Sequence, residues 1–205
     1  MGKCNMVENY KLRESERKEL LRLARLSIEK AVAGQSHPEL NLETLPLSFQ
    51  QFGATFITLT KQGRLRGCIG TLEAYQPLVQ DVCEHAVAAA MSDYRFSQVS
   101  SNEIPELRIE ISRLTTPQIL QFETPEELLS KLRPNIDGVI IKDGQRRSTF
   151  LPQVWESLSQ PEDFLTHLCQ KMGAGSTCWK KKGIQVFIYQ VEKFTEVGYL
   201  QDEGD

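Results

Sequence analysis

The chain has 205 residues, is 40% hydrophobic and 25% charged, and carries a formal net charge of −3. That length suits one domain, or one domain with a satellite lobe, and the composition is ordinary for a globular protein. The small negative charge gives no general drive toward nucleic acid or anionic lipid, so neither is expected as a partner. No apolar run approaches the length that crosses a bilayer, and no secretory leader is visible. Gly2 and Cys4 suggest lipidation, but Met6 leaves the myristoylation pattern incomplete. A cytoplasmic protein is expected.

Residues 15–33 carry Leu20, Leu23, Ala24, Ser27, Ile28, Ala31 and Val32 at the 3.6-residue period, which predicts an amphipathic helix stopped at Gly34. Residues 35–50 hold two prolines and no period, and read as a loop. Residues 52–60 are rich in β-branched and aromatic types, and with 64–70 predict a hairpin turning at Gln62-Gly63. Pro77 is placed to open a helix through Leu78, Val79, Val82, Cys83, Ala86, Val87 and Ala90 to about Met91. Its broad apolar arc predicts deep burial. Residues 93–105 read as a structured loop. Residues 107–114 alternate, with Leu107, Ile109 and Ile111 on one face and Arg108, Glu110 and Ser112 on the other.

Thr124-Pro125-Glu126-Glu127 reads as a capping box that starts a short helix to about Leu132. Val139–Ile141, the turn Asp143-Gly144 and Arg147–Leu151 predict a second hairpin. Pro161 opens a helix through Phe164, Leu165, Leu168 and Met172, stopped by Gly173. Residues 184–194 are apolar on both faces and predict one central strand. Strands in hairpins with helices at irregular intervals favour an α+β fold, with a largely antiparallel sheet and flanking helices.

The segment with most chemistry is Leu65-Arg66-Gly67-Cys68-Ile69-Gly70. In an extended chain Arg66 and Cys68 share a face, and a guanidinium beside a thiol favours the thiolate. The alternative is a small buried cysteine with glycines relieving crowding. The five cysteines, Cys4, Cys68, Cys83, Cys169 and Cys178, form no Cys-x-x-Cys, so neither a zinc ribbon nor an iron–sulfur cluster is indicated. Reduced thiols are expected. His37, His85 and His167 form no local ligand pair, and no metal site is read. His85 is closest in sequence to Cys68 and is a candidate proton carrier; the other reading is a structural histidine. Asp93 and Arg95 either pair to shape their loop or face a cleft. Arg147 and Thr149 lie in a run of anion donors, or on an exposed hairpin. Glu110 is a solvated carboxylate or a base. Lys180-Lys181-Lys182 is a local basic patch or a solvated turn. Signatures for nucleotide binding, serine hydrolysis and zinc proteolysis are absent, and no cofactor is expected.

Four segments resemble the AMMECR-one domain family, whose prokaryotic members are called AmmeMemoRadiSam system protein A: Leu-Arg-Gly-Cys-Ile-Gly-Thr-Leu-Glu (65–73), Asp-Tyr-Arg-Phe (93–96), Ile-Glu-Ile-Ser-Arg-Leu-Thr-Thr-Pro (109–117), and Gly-Val-Ile-Ile followed by Arg-Arg-Ser-Thr-Phe-Leu-Pro-Gln-Val-Trp-Glu (138–156). Tyr94 stands where the family more often has Pro, and Ser148 where it has Gly. The resemblance implies one domain over residues 15–197 with two interleaved lobes, and flexible termini at 1–14 and 198–205. It also implies association with a Memo-like protein and a radical SAM protein. It brings no established reaction. The recurring positions that carry over are Arg66, Gly67, Cys68, Gly70, Asp93, Arg95, Glu110, Arg147, Thr149, Pro152 and Trp155.

Two readings follow. In the first, Cys68 is a nucleophile, Arg66 stabilises its thiolate, and Glu110 or His85 carries the proton. Gly67, Gly70, Asp93 and Arg95 would line that site, and Arg147 with Thr149 would bind a small anionic substrate. In the second, the same surface is a non-catalytic ligand- or protein-binding site and Cys68 is structural.

Overall fold

The computed structural model describes residues 11–36 and 38–196. The expectations for Gly2, Cys4, His37 and the C-terminal segment 198–205 fall outside this set. The chain forms two compact units, Met1–Leu114 together with Glu192–Asp205, and Thr115–Val191. The first contains α1 (Glu14–Val32), α2 (Leu47–Gln50), β1 (Phe52–Lys61), β2 (Arg64–Gly70), β3 (Gln76–Pro77), α3 (Leu78–Met91) and β4 (Leu107–Leu114). The second contains β5 (Gln118–Ile119), α4 (Pro125–Lys131), β6 (Gly138–Asp143), β7 (Arg146–Phe150), α5 (Pro161–Lys171) and β8 (Gln185–Tyr189). Strand β9 (Val191–Thr195) returns to the sheet of the first unit.

The first sheet has the order β2-β1-β4-β9, with the short β3 paired to the start of β1. Its hairpin turns at Gln62 and Gly63, both at positive φ, the two-residue geometry whose twist matches paired strands. Ile57, Leu59, Ile109 and Ile111 point to one face and are fully buried or nearly so. Helices α1 and α3 supply the rest of that core through Leu20, Ala24, Ile28, Val79, Val82 and Ala86. Each such Leu, Ile or Val contributes about 1.5–3 kcal/mol by leaving water. Leu12 is also in this core, so residues 12–14 belong to the fold and not to a flexible terminus. Glu196 locks the return of the chain. It accepts Arg25 Nε and Nη2, both at 2.6 Å, and the Ile109 N–H at 3.0 Å.

The loop expected over 35–50 holds a 3-10 turn at Leu42–Thr44 and helix α2, both too short to show a period. Pro77 sits one residue earlier than expected: it ends β3 in extended conformation, and α3 starts at Leu78. The structured loop after α3 closes with a 3-10 helix at Ser101–Glu106.

The second sheet has the order β5-β8-β6-β7. Val139, Ile141 and Val186 face a core filled by α5 and by Trp155, which stacks on Phe164 at 3.7 Å between ring centroids. The Trp155 indole donates to the Asp137 carbonyl at 2.7 Å. Thr124 caps α4 through the Glu127 N–H, but the Glu127 carboxylate accepts the N–H of Glu123 and not that of Thr124. Two expectations are corrected here. Residues 184–194 are not one strand: the run breaks at Gln190, whose N–H and C=O both pair with Thr115. Strand β8 is internal as expected, whereas β9 is an edge strand of the other sheet. The thiols are not all reduced either, because Cys169 and Cys178 form a disulfide. Among the described residues, no helix is long and apolar enough to cross a membrane.

Candidate functional site on an edge strand of the first unit

Cys68 lies on β2, an edge strand, opposite Thr58 of β1, and Thr58 is in turn opposite Glu110 of β4. Ile57 and Leu59 flank Thr58 and are buried under the helices, so Thr58, Cys68 and Glu110 project from the other face. The Cys68 Sγ and Thr58 Oγ1 are 3.4 Å apart. Glu110 has Lys193 Nζ at 3.9 Å on its far side. Two strand spacings separate Cys68 from Glu110, about 10 Å of backbone. The carboxylate therefore stays clear of the thiol, but a ligand lying across Thr58 could touch both.

The backbone of Cys68 is pinned from outside the sheet. Its N–H donates to Asp93 Oδ2 at 2.8 Å, and its carbonyl accepts Arg95 Nη2 at 3.1 Å. Arg95 also forks onto Asp93 at 2.9 and 2.7 Å. The Arg95 guanidinium, aided by the Cys68 and Arg95 backbone N–H groups, holds the Asp93 carboxyl far below its usual range against the effect of burial. Asp93 in turn raises Arg95. So this pair shapes its loop and covers a free strand edge, which would otherwise invite pairing with another chain. Between them Tyr94 is 94% exposed.

Arg66 does not serve Cys68. The register of β1 and β2 shifts between Leu59 and Thr60, so Arg66 has no partner on β1 and simple alternation fails there. Its guanidinium instead bonds Glu103 at 2.9 and 3.0 Å and the Ser97 carbonyl at 2.9 Å, tying down the loop before β4. The glycines have a packing role. A Cβ on Gly67 would stand 2.1 Å from the Ala89 carbonyl of α3, and one on Gly70 would stand 2.2 Å from the Thr55 carbonyl. His85 is on the wrong side of the sheet to exchange protons with Cys68. It lies on α3 with Nδ1 3.2 Å from Asp81 Oδ2, and Asp81 also accepts the Thr55 hydroxyl at 2.6 Å.

Arg147 and Thr149 belong to the second unit. Thr149 is buried, with Oγ1 3.1 Å from the Tyr189 hydroxyl. Burial pushes the Tyr189 phenol up to about 12, opposed by the Thr149 bond and the charge of Arg147. Arg147 is exposed, opposite Lys142. Among the described residues, no three His, Cys, Asp or Glu side chains converge as metal ligands.

A family model for AMMECR1 matches residues 21–194. The chain belongs to the AMMECR1 family. A protein of Methanothermobacter thermautotrophicus is 35% identical over 192 residues, covering 91% of this chain and 97% of its own. One of Methanocaldococcus jannaschii is 34% identical over 184 residues, covering 86% and 88%. The crystal structure of an uncharacterised protein from Pyrococcus horikoshii superposes with a TM-score of 0.74 at 31% identity, covering 91% of this chain and 94% of that one. Two AMMECR1-domain residues at the site escaped the sequence reading. Thr58 was reachable from the Gln62-Gly63 turn, because the hairpin register puts it near Cys68. Glu103 had a local signal in Ser100-x-x-Glu103, a capping-box spacing hidden inside the expected loop.

Proposed function

We propose that this AMMECR1 domain is a non-catalytic binding component of a cytoplasmic system with a Memo-like and a radical SAM protein, and that it binds through the sheet face carrying Cys68, Thr58 and Glu110. One observation carries the reading: the charged groups of the motif are consumed in holding the scaffold. Asp93 and Arg95 hold each other and the backbone of Cys68, and Arg66 holds Glu103. Among the described residues, the side-chain partner of the Cys68 sulfur is the Thr58 hydroxyl, not a base. A thiol nucleophile activated by a general base needs that base within hydrogen-bond reach. A strand held this firmly instead offers a rigid platform, and rigidity lowers the entropic cost of association.

The test uses the full chain with the Memo-like and radical SAM proteins of the same genome, titrated by calorimetry. Cys68→Ser is expected to keep its affinity within about threefold, and Thr58→Arg, which fills the face, to lose at least about tenfold. Loss of turnover by the assembled system in Cys68→Ser, with binding intact, would restore the enzyme reading. Unchanged binding by a folded Thr58→Arg would remove this face from the proposal.

A further inference from the structure

One end of the second sheet carries charge of the opposite sign to the chain as a whole. The register places Lys142 of β6 opposite Arg147 of β7, and Asp143 opposite Arg146. Arg146 bonds Asp143 Oδ2 at 3.0 Å, and Lys181 bonds the same oxygen at 2.9 Å. Four cations therefore gather around one carboxylate, in a chain whose formal net charge is −3. Asp143 is shared by Arg146 and Lys181 and does not serve Lys142. Like charges directly opposite on paired strands cost stability. Cations on an edge strand guard it against pairing with other chains, which accounts for Arg146 and Arg147 on β7. It does not account for Lys142, because β6 is internal.

The face that carries Lys142 continues into an apolar row. Val139, Ile141 and Val186 point into the core of this unit, so the residues between them lie on the opposite face. The ladder sets Ile119, Phe187, Ile140 and Thr149 side by side across the four strands, one row from Gln185, Lys142 and Arg147. Successive rows on one face are two residues apart, about 7 Å. Ile119 is 49% exposed and Phe187 is half-buried, while Gln185, Lys142 and Arg147 are exposed. The row beyond is closed. The Tyr189 ring lies over Gly138, where a Cβ would stand 2.4 Å from its Cζ, and its hydroxyl donates to the Phe150 carbonyl at 3.2 Å. What stays open is a strip of cations beside a strip of apolar side chains.

We infer that this strip is a docking surface for an acidic segment of a partner protein. Carboxylates of the segment meet Lys142 and Arg147, and a bulky apolar side chain packs on Phe187 and Ile119. Charge complementarity selects the acidic groups. The neighbouring row is mostly aliphatic, with one ring, which suits an apolar side chain better than a run of stacked bases. The surface lies wholly within the second unit, and it stands or falls independently of the face around Cys68.

The probe is the peptide acetyl-Glu-Asp-Phe-Asp-Glu-amide, titrated at low salt into the ¹⁵N-labelled full chain. The backbone amide signals of Lys142, Arg147 and Gln185 are expected to shift saturably with Kd below about 1 mM, while those of β2 stay still. Lys142→Glu should weaken binding about tenfold or more, and Lys142→Gln, a milder change at the same exposed position, about threefold. Arg22→Glu, an equal charge reversal on an exposed residue of the first unit, should leave binding within about twofold. Replacing the phenylalanine of the peptide by alanine should weaken it about threefold or more, as should Ile119→Ser. The inference is overturned if the amides of β6, β7 and β8 do not move, if Arg22→Glu weakens the peptide as much as Lys142→Glu, if both Lys142 variants bind like the parent, or if the alanine peptide binds as well as the original. Tighter binding of oligothymidylate or of phosphatidylserine vesicles than of the peptide would assign the surface to another class of partner, and overturns it equally.

Discussion

Asp93 and Glu103 are carboxylates that hold backbone as well as arginine. Arg95 with the Cys68 N–H depresses the first, and Arg66 with the Ser100 N–H depresses the second. A depressed carboxylate stabilises the fold above its ordinary pKa, here 3.8 for Asp and 4.5 for Glu, and that stabilisation is lost as pH falls through the folded value. Urea midpoints should therefore be level above about pH 5 and decline progressively below about pH 4. Asp93→Asn and Glu103→Gln should be less stable at neutral pH and show a shallower acid limb. Curves parallel to the parent would mean these pairs contribute nothing. The thiols differ at the same scale. Cys83 is buried, and burial pushes its thiol up, whereas Cys68 is half-buried on the open face. Competitive alkylation of the native protein, read by mass spectrometry, should label Cys68 well before Cys83. Equal rates would contradict the placement of Cys68.

Strand β2 is held by three kinds of contact: its ladder to β1, the Asp93–Arg95 fork, and direct packing of Gly67 on the carbonyl of Ala89. Backbone-to-backbone packing leaves no room for a methyl group. Gly67→Ala must push β2 away from α3, and overpacking of this kind typically costs about 1–3 kcal/mol. The expected result is a lower thermal midpoint together with faster alkylation of Cys68, since the same displacement loosens its backbone. Gly63→Ala offers a contrast. It has open space around it but a φ of 76°, so it should strain the turn without disturbing Cys68. If Gly67→Ala matched the parent in both readouts, the packing role of this glycine would be wrong.

Across the whole molecule, the second unit carries a covalent tie that the first lacks among the described residues. Cys169 ends the buried face of α5, and Cys178 begins the turn that leads to Trp179. Both are buried, which shields the bond from reductant while the unit is folded. Cys178→Ser is expected to lower stability by about 2–4 kcal/mol, and to spare the acid-limb behaviour of Asp93, which lies in the other unit. Thiol titration under native, non-reducing conditions should find Cys169 and Cys178 unreactive until the protein is both unfolded and reduced. Five titrating thiols in the unfolded, unreduced chain would show that the bond does not form.

Local periodicity and turn chemistry were enough to place α1, α3 and α5, the hairpin at Gln62-Gly63 and the alternation of β4, because each depends on residues within a few positions. The family, too, was legible, from four short segments. Tertiary structure alone decided which partners those elements find. The apolar run 184–194 serves two cores in turn, through Val186 in one and Phe194 in the other, and nothing local marks the break at Gln190. The register shift beside Arg66 turned its side chain to Glu103 and left Arg95 as the guanidinium bonded to Cys68. The sheet put His85 and Cys68 on opposite faces although they are near in sequence, and packing of α5 against the 178–180 turn brought Cys169 to Cys178. Strand register and helix packing are set by contacts between distant residues, so a reading confined to sequence neighbours names the right side chains and misassigns what they touch.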